Sequence, residues 1–164
     1  MDNFFESVVK EFLSDPYYLE LDKFIAHGDW TLLDHSLHVA KGAYLLARNS
    51  PYKLDLTSLI RGAMLHDFYL YDWHLPHKGH RLHGFRHPKV ALEEASKHFP
   101  LNNLEKSIIL EHMFPLTFWR FPSSKEVYFV LKSDRKSALY EHKFKKHSLK
   151  TPSFLKYAYG VNTL

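Results

Sequence analysis

Histidine is overused in this chain: there are 13 among 164 residues, and no cysteine. Imidazole is the most versatile side-chain metal ligand, and its ordinary pKa lies close to neutrality. Without thiolates, a metal site must be built from nitrogen and oxygen donors. Such a set suits Mn, Fe, Co, Ni, Zn or Mg rather than soft metals. The densest local signal is Leu65-His66-Asp67, at the end of an apolar helical stripe. Adjacent helical residues point about 100° apart, so both side chains reach one centre only at a helix end or a bend. A carboxylate ending a buried stripe is costly unless it is paired or bound to a cation.

Other histidines and aspartates also sit on apolar helical faces. His35 lies in Asp34-His35-Ser36-Leu37-His38-Val39-Ala40, and His112 follows Ile108 by one turn. Asp134 shares a face with Val127, Val130, Leu131 and Ala138. His87 opens a helix in His87-Pro88-Lys89-Val90-Ala91, where a first-turn proline fits because its missing N–H needs no helical partner. Taken singly, each reads more readily as a satisfied polar core residue or a cap. Five helical segments that each turn a His or Asp inward are much harder to explain without a cation.

The elements that must position these groups are read from period and caps. Phe4, Phe5, Val8, Val9, Phe12 and Leu13 form an amphipathic face that Pro16 ends. Leu33, Leu37, Ala40, Tyr44 and Ala47 predict a buried helical stripe, started by a Thr31–Asp34 capping box. Leu56, Leu59, Ile60, Ala63 and Met64 predict a third helix, capped by Asp55 or Thr57. Residues 68–86 are aromatic, basic and rich in breakers, and read as a long loop of the kind that carries function. Helical spacing resumes from Val90 to Phe99 and continues from Leu104 to His112. Pro115 and Pro122 bound a break, and Ser123 with Glu126 predicts a capping box for the last helix. No segment alternates as a strand does, so the expected class is all-α.

Length suits a single domain able to bury a core without disulfides. No apolar run reaches the roughly 20 residues of a membrane span. The start, Met1-Asp2-Asn3-Phe4-Phe5-Glu6, lacks the basic opening of a signal peptide. A soluble cytoplasmic protein without a membrane partner is the expectation. Net charge is a mild +4, with Lys143, Lys145, Lys146 and Lys150 gathered near the end. A solvated end explains these lysines more simply than nucleic acid does.

The order His…His-Asp…Asp on successive helices resembles the HD superfamily of metal-dependent phosphohydrolases. The matching pieces are His35-Ser36-x-x-Val39-Ala40, Leu65-His66-Asp67, and Asp134 with Ala138 four residues on, within residues 31–141. The segments His66-Asp67-Phe68-x-Leu70-Tyr71-Asp72-Trp73 and His83-Gly84-Phe85-x-His87-Pro88 are most like those of an uncharacterised bacterial subgroup of HD proteins. The resemblance implies a single-domain HD-type helical bundle with a long loop after the His-Asp pair. Residues 1–30 would be a helical extension packed on the core, 31–141 the HD domain, and 142–164 a basic C-terminal segment. Core ligands would fall on His35, His66, Asp67 and Asp134. His38 is the rival of His35, but that position is often Arg in the family. Some HD proteins hold two divalent ions, and here His87 and His112 would serve the second, with Asp67 bridging. His83 is the rival of His87.

The resemblance further implies hydrolysis of a small phosphorylated substrate, a nucleotide or related phosphomonoester or phosphodiester, by a metal-activated water. Asp67 would be the catalytic group that orients the nucleophile. Lys78, Arg81, Arg86 and His83 would contact the substrate, and His74, His77 or His80 would protonate the leaving group. Leu70 stands where many relatives carry Lys three residues after the Asp, and the longer Gly-Tyr-Pro signature is missing. Specificity for a cyclic nucleotide or cyclic dinucleotide is therefore less expected. Two alternatives remain open: a di-iron oxygenase on the same scaffold, and a non-catalytic metal-binding or ligand-sensing module.

Overall fold

The computed structural model describes residues 3–71 and 83–144. Helix α1 spans Asn3–Leu13 and is followed by a 3-10 helix, Tyr18–Lys23. Two short strands come next, β1 (Ile25–His27) and β2 (Trp30–Thr31). The rest is helical: α2 (Leu32–Arg48), α3 (Leu56–Leu65), α4 (His83–His98), α5 (Asn103–Glu111) and α6 (Lys125–Lys143). The all-α expectation holds for the bundle. Helix α2 packs against α3 and α6, α3 also against α5, and α4 against α5. Helix α1 lies on α3 and places Phe5, Val9 and Phe12 in the common core.

The caps explain where the helices begin. Thr31 accepts from the Asp34 N–H while Asp34 reaches back to the Thr31 N–H, the expected capping box. Asp55, not Thr57, caps α3 by accepting from the Ser58 N–H. An Asn102–Glu105 box, unread in the sequence, starts α5. The cap of α6 is Ser124 rather than Ser123. The one-residue shift has a cause: Glu126 is drawn to the Asp55 N–H at 3.1 Å, so it does not complete a box with Ser123. The Ser123 N–H donates instead to Glu111.

Three expectations fail. The first thirty residues are not wholly helical: β1 and β2 pair antiparallel, Ile25 opposite Thr31 and His27 opposite Trp30. The Gly28-Asp29 turn uses glycine at φ 62°, a left-handed conformation. Strands of three and two residues are too short to show alternation. Second, α4 opens at His83, not His87, which leaves Pro88 inside the helix. Proline there costs the one helical bond to carbonyl 84, and Gly84 packs so tightly on Leu116 that a Cβ would meet it at 2.9 Å. Third, α2 has no single buried stripe. Leu33 and Leu37 are only half-buried, whereas His35, Ser36, His38, Val39, Ala40, Ala43 and Ala47 are buried, because the helix is covered on several sides.

Close packing sets the ends of α3 and α5 in register. A Cβ added to Gly62 would lie 2.8 Å from Ile108 Cδ1 and 2.9 Å from its Cβ, so the α3 backbone rests directly on that side chain. His66 follows Gly62 by four residues, and His112 follows Ile108 by four. Residues four apart stack on one helix face, so this contact brings both histidines to the same side. On the opposite flank Tyr18, fully buried, donates to the Met64 carbonyl at 2.7 Å and stacks on Phe68. The last turn of α3 is thereby gripped from two directions. Overpacking costs about 1–3 kcal/mol, and alanine's better helix propensity returns at most about 1 kcal/mol. We therefore expect Gly62→Ala to unfold at lower urea concentration than the wild type. A midpoint equal to or above wild type would show that the two helices are not held this close.

Candidate metal centre

Five elements or their ends deliver six side chains to one buried point. His66 is the C-cap of α3, and Asp67 follows it as the chain leaves the helix. His112 is the C-cap of α5. His35 comes from the first turns of α2, His87 from α4 and Asp134 from the middle of α6. His35 and His66 are fully buried, and His87, His112 and Asp67 nearly so. The His-Asp pair can share a centre because it stands at a helix end, where the 100° offset is undone.

The helix ends also fix the rings. The His66 Nδ1 lies 2.7 Å from the Ala63 carbonyl, and the His112 Nδ1 lies 2.8 Å from the Ile109 carbonyl. A carbonyl only accepts, so each Nδ1 carries a proton, and the ring in its neutral form presents a bare Nε2. Both rings thus use last-turn carbonyls that a helix leaves without partners. His35 is set differently. Its Nδ1 lies 2.7 Å from Glu141 Oε2, while Glu141 Oε1 lies 2.7 Å from the His38 Nδ1.

The Nε2 atoms converge on Asp67, one carboxylate oxygen for each pair of histidines. Oδ2 lies 3.9 Å from His35 and 3.6 Å from His66. Oδ1 lies 3.1 Å from His87 and 3.5 Å from His112. Asp134 Oδ1 completes the first side at 3.2 Å from His35 and 3.9 Å from His66. On the second side the Nε2 atoms of His87 and His112 approach to 2.9 Å. Donor atoms of His35, His66 and Asp67, of His66, His112 and Asp134, and of Asp67, His87 and His112 each lie within 4.8 Å of one another. The Nε2 atoms of His35 and His66 are buried without a well-formed hydrogen bond. Convergent buried donors left in that state are what a divalent cation satisfies, so the residues present fit a metal ion.

Charge in the cluster is strongly coupled. Burial pushes the Asp67 carboxyl up, but His66, His87 and His112 outweigh it and hold the group well below its usual range. Asp134 is held at about 2, with burial overcome chiefly by His35 and His66. Burial depresses His66 to about 4. For His35 burial is outweighed by Glu141 and Asp134, and its pKa rises well above the ordinary value. His112 also rises, burial being overcome by its contact with Asp67.

All six residues that the sequence assigned to metal binding, His35, His66, Asp67, His87, His112 and Asp134, are brought together. His38 is not among these donors; it faces Glu141. Arg86 is exposed on α4, outside the donor cluster. Lys78, Arg81, His74, His77 and His80 lie outside the described residues, as does the side chain of His83. Two residues went unread. Glu141 is nearly fully buried and falls seven residues after Asp134, two turns along the same face of α6. That spacing was the available signal. His27, on β1, packs its ring edge-on against His35 at 5.1 Å and forms a further donor group with His35 and Glu141. Comparison with protein-family models, curated proteins and solved structures finds no match for this chain.

Two outcomes follow from this geometry. A cation that binds only the folded state adds about 2.7 kcal/mol at a hundredfold excess over Kd. Adding Co2+ to metal-free protein should raise Tm by several degrees, and Asp67→Ala, which lacks the shared carboxylate, should show no such rise. A comparable rise in the variant would place the ion elsewhere. The second outcome concerns protons. Ligation needs a bare Nε2, and the raised pKa values of His35 and His112 mean that a cation must displace protons near neutral pH. Affinity should therefore increase as pH rises towards the raised His35 value. Calorimetric heats of Co2+ binding should also vary with the ionisation enthalpy of the buffer. Heats independent of buffer would mean that both rings were already neutral.

Proposed function

We propose that this chain is a metal-dependent phosphohydrolase of the HD type, acting on a small phosphate ester such as a nucleotide. The observation that carries the reading is the division of the Asp67 carboxylate, one oxygen towards His35 and His66 and the other towards His87 and His112. Were divalent ions bound, Asp67 could serve two of them, and His35, His66 and Asp134 would hold one while His87 and His112 would hold a second. The order of these residues along the chain, His…His-Asp…Asp, is the order the HD resemblance rests on. Bound divalent ions would supply an acidified water and charge to offset that developing on phosphoryl oxygens.

The chain's own residues supply the rest. Asp67 accepts a hydrogen bond from the attacking water and aims it at phosphorus. Asp134 adds a second negative charge on the His35 side, which attracts positive charge there, a bound cation or, in its absence, a proton on the ring. Arg86 stands one residue before His87 on α4, exposed, with its charge reaching Tyr71. From there its guanidinium can meet a phosphate dianion that enters the site. As the ester P–O bond breaks, water's oxygen joins phosphorus, and the proton that the water gives up is matched by the one the leaving alkoxide takes from solvent.

The test is turnover of a panel of phosphomonoesters and phosphodiesters, nucleotides included, by protein reloaded with Mn2+, Co2+ or Zn2+. Phosphate or nucleoside release should be lost on chelation and return with metal. Asp67→Asn should lower kcat by at least a hundredfold, the scale expected when a group that orients the nucleophile is removed. Metal-replete protein inert towards the whole panel would remove the hydrolase reading. Oxygen uptake by iron-loaded protein, with no turnover under anaerobic conditions, would assign the centre to an oxygenase.

A further inference from the structure

Glu141 has no place in the ligand set, yet it is a fully enclosed carboxylate: its side chain is 0 % exposed, at the far side of His35 from the donor cluster. Its two oxygens are each 2.7 Å from an imidazole Nδ1, Oε2 from His35 and Oε1 from His38. A buried carboxylate is expensive without partners, and the partners Glu141 has are these two imidazoles. We propose that Glu141 is a positioning residue for the metal centre, fixing the tautomer and aim of His35, with His38 as the anchor that holds Glu141 in place. The inference rests on the metal-centre part of the proposed function and not on the phosphate chemistry.

The reasoning is geometric. His35 comes from the first turns of α2, where no last-turn carbonyl lies at hand to take its Nδ1 proton as Ala63 and Ile109 do for His66 and His112. A free imidazole ring flips and exchanges tautomers. Glu141 removes both freedoms, because an ionised carboxylate only accepts and so keeps the proton on Nδ1 and the lone pair on Nε2. An anion behind the ring also raises the basicity of Nε2, as outer carboxylates do for metal-bound histidines. Glu141 is itself a flexible side chain. It is pinned by a second imidazole three residues along α2, on nearly the same face as His35. The edge of Trp30 packs against the His38 ring at 5.0 Å, and the Trp30 indole N–H donates to the Phe144 carbonyl at the end of α6. The small hairpin therefore closes the shell around this pair. His38, the rival ligand by sequence, acquires a role that explains its burial without placing it on the metal.

The test is Co2+ binding to the full chain, stripped of metal and followed by calorimetry and by the visible d–d absorption that reports ligand geometry. Removing an outer partner of this kind lowers metal affinity by about 10- to 100-fold. Glu141→Gln keeps an acceptor for His35 but loses the charge, so affinity for the first Co2+ should fall about tenfold. Glu141→Ala should fall further and change the d–d band, and His38→Asn should lie between wild type and Glu141→Ala. Far-ultraviolet circular dichroism of the metal-free variants identifies any that fail to fold. A Glu141→Gln variant that folds, melts at a lower temperature and binds Co2+ as tightly as wild type, with an unchanged d–d band, would reduce Glu141 to a structural residue and overturn the proposal. Wild type that takes up no Co2+ at all would overturn it together with the metal-centre reading. Inert phosphate esters alongside normal Co2+ uptake would count against the hydrolase alone.

Discussion

A charged carboxylate sealed among helices is the constraint around which this bundle is organised. Asp67 is nearly buried, with Asp134 beside it and Glu141 enclosed a short way behind. Isolated, any one of these would be driven to protonate. Here each faces imidazoles that hold it ionised. The histidines are thus not decorations on a finished core. They are what permits the acids to be inside it, and the acids in turn oppose the burial penalty on protonated His35 and His112.

That arrangement depends on ordinary packing done at short range. The contact of Gly62 with Ile108 sits one turn before His66 on one helix and one turn before His112 on the other. Both helices then end, and both histidines turn back to cap carbonyls of their own last turn. The same local device, used twice and aligned by one close approach, yields two rings meeting edge to face at 4.9 Å. Between α2 and α6, small residues play a similar part. Ser133 donates to the Val39 carbonyl at 2.9 Å, which sets the neighbouring Asp134 against the His35 side of the cluster.

Much of this was legible from residue types because polar groups on apolar stripes stand out. His35, His112 and Asp134 each interrupt a helical run, and the cluster follows once several such runs occur in one cysteine-free chain. Glu141 was missed because it lies at the end of α6, where basic and aromatic residues hide the stripe. The Asp134–Ala138–Glu141 spacing becomes visible only when the helix is known to continue to Lys143. The hairpin was missed for a different reason. Two and three residues carry no periodicity, and the Gly28-Asp29 turn was the sole local sign. The start of α4 differs from expectation because Pro88, which favours a first helical turn, stands inside the helix here. Tertiary contact of Gly84 with Leu116 extends the helix one turn beyond where sequence preference would begin it.

The two sides of Asp67 are unlike, and the difference bears on the proposed chemistry. On one side a cation would meet Asp67 and Asp134 with His35 and His66, and Glu141 stands behind His35. On the other, among the described residues, it would meet the second oxygen of Asp67 with His87 and His112. More anionic charge and a fuller donor set favour tight retention on the first side. With fewer donors among the described residues, the second side would leave coordination positions for solvent or substrate, as catalytic metal sites require and structural ones do not. His87 also comes from the helix that carries exposed Arg86, one residue before it. On the proposed reading, then, α2, α3 and α6 build the retained half of the centre, while α4 and α5 build the half at which an ester would be engaged.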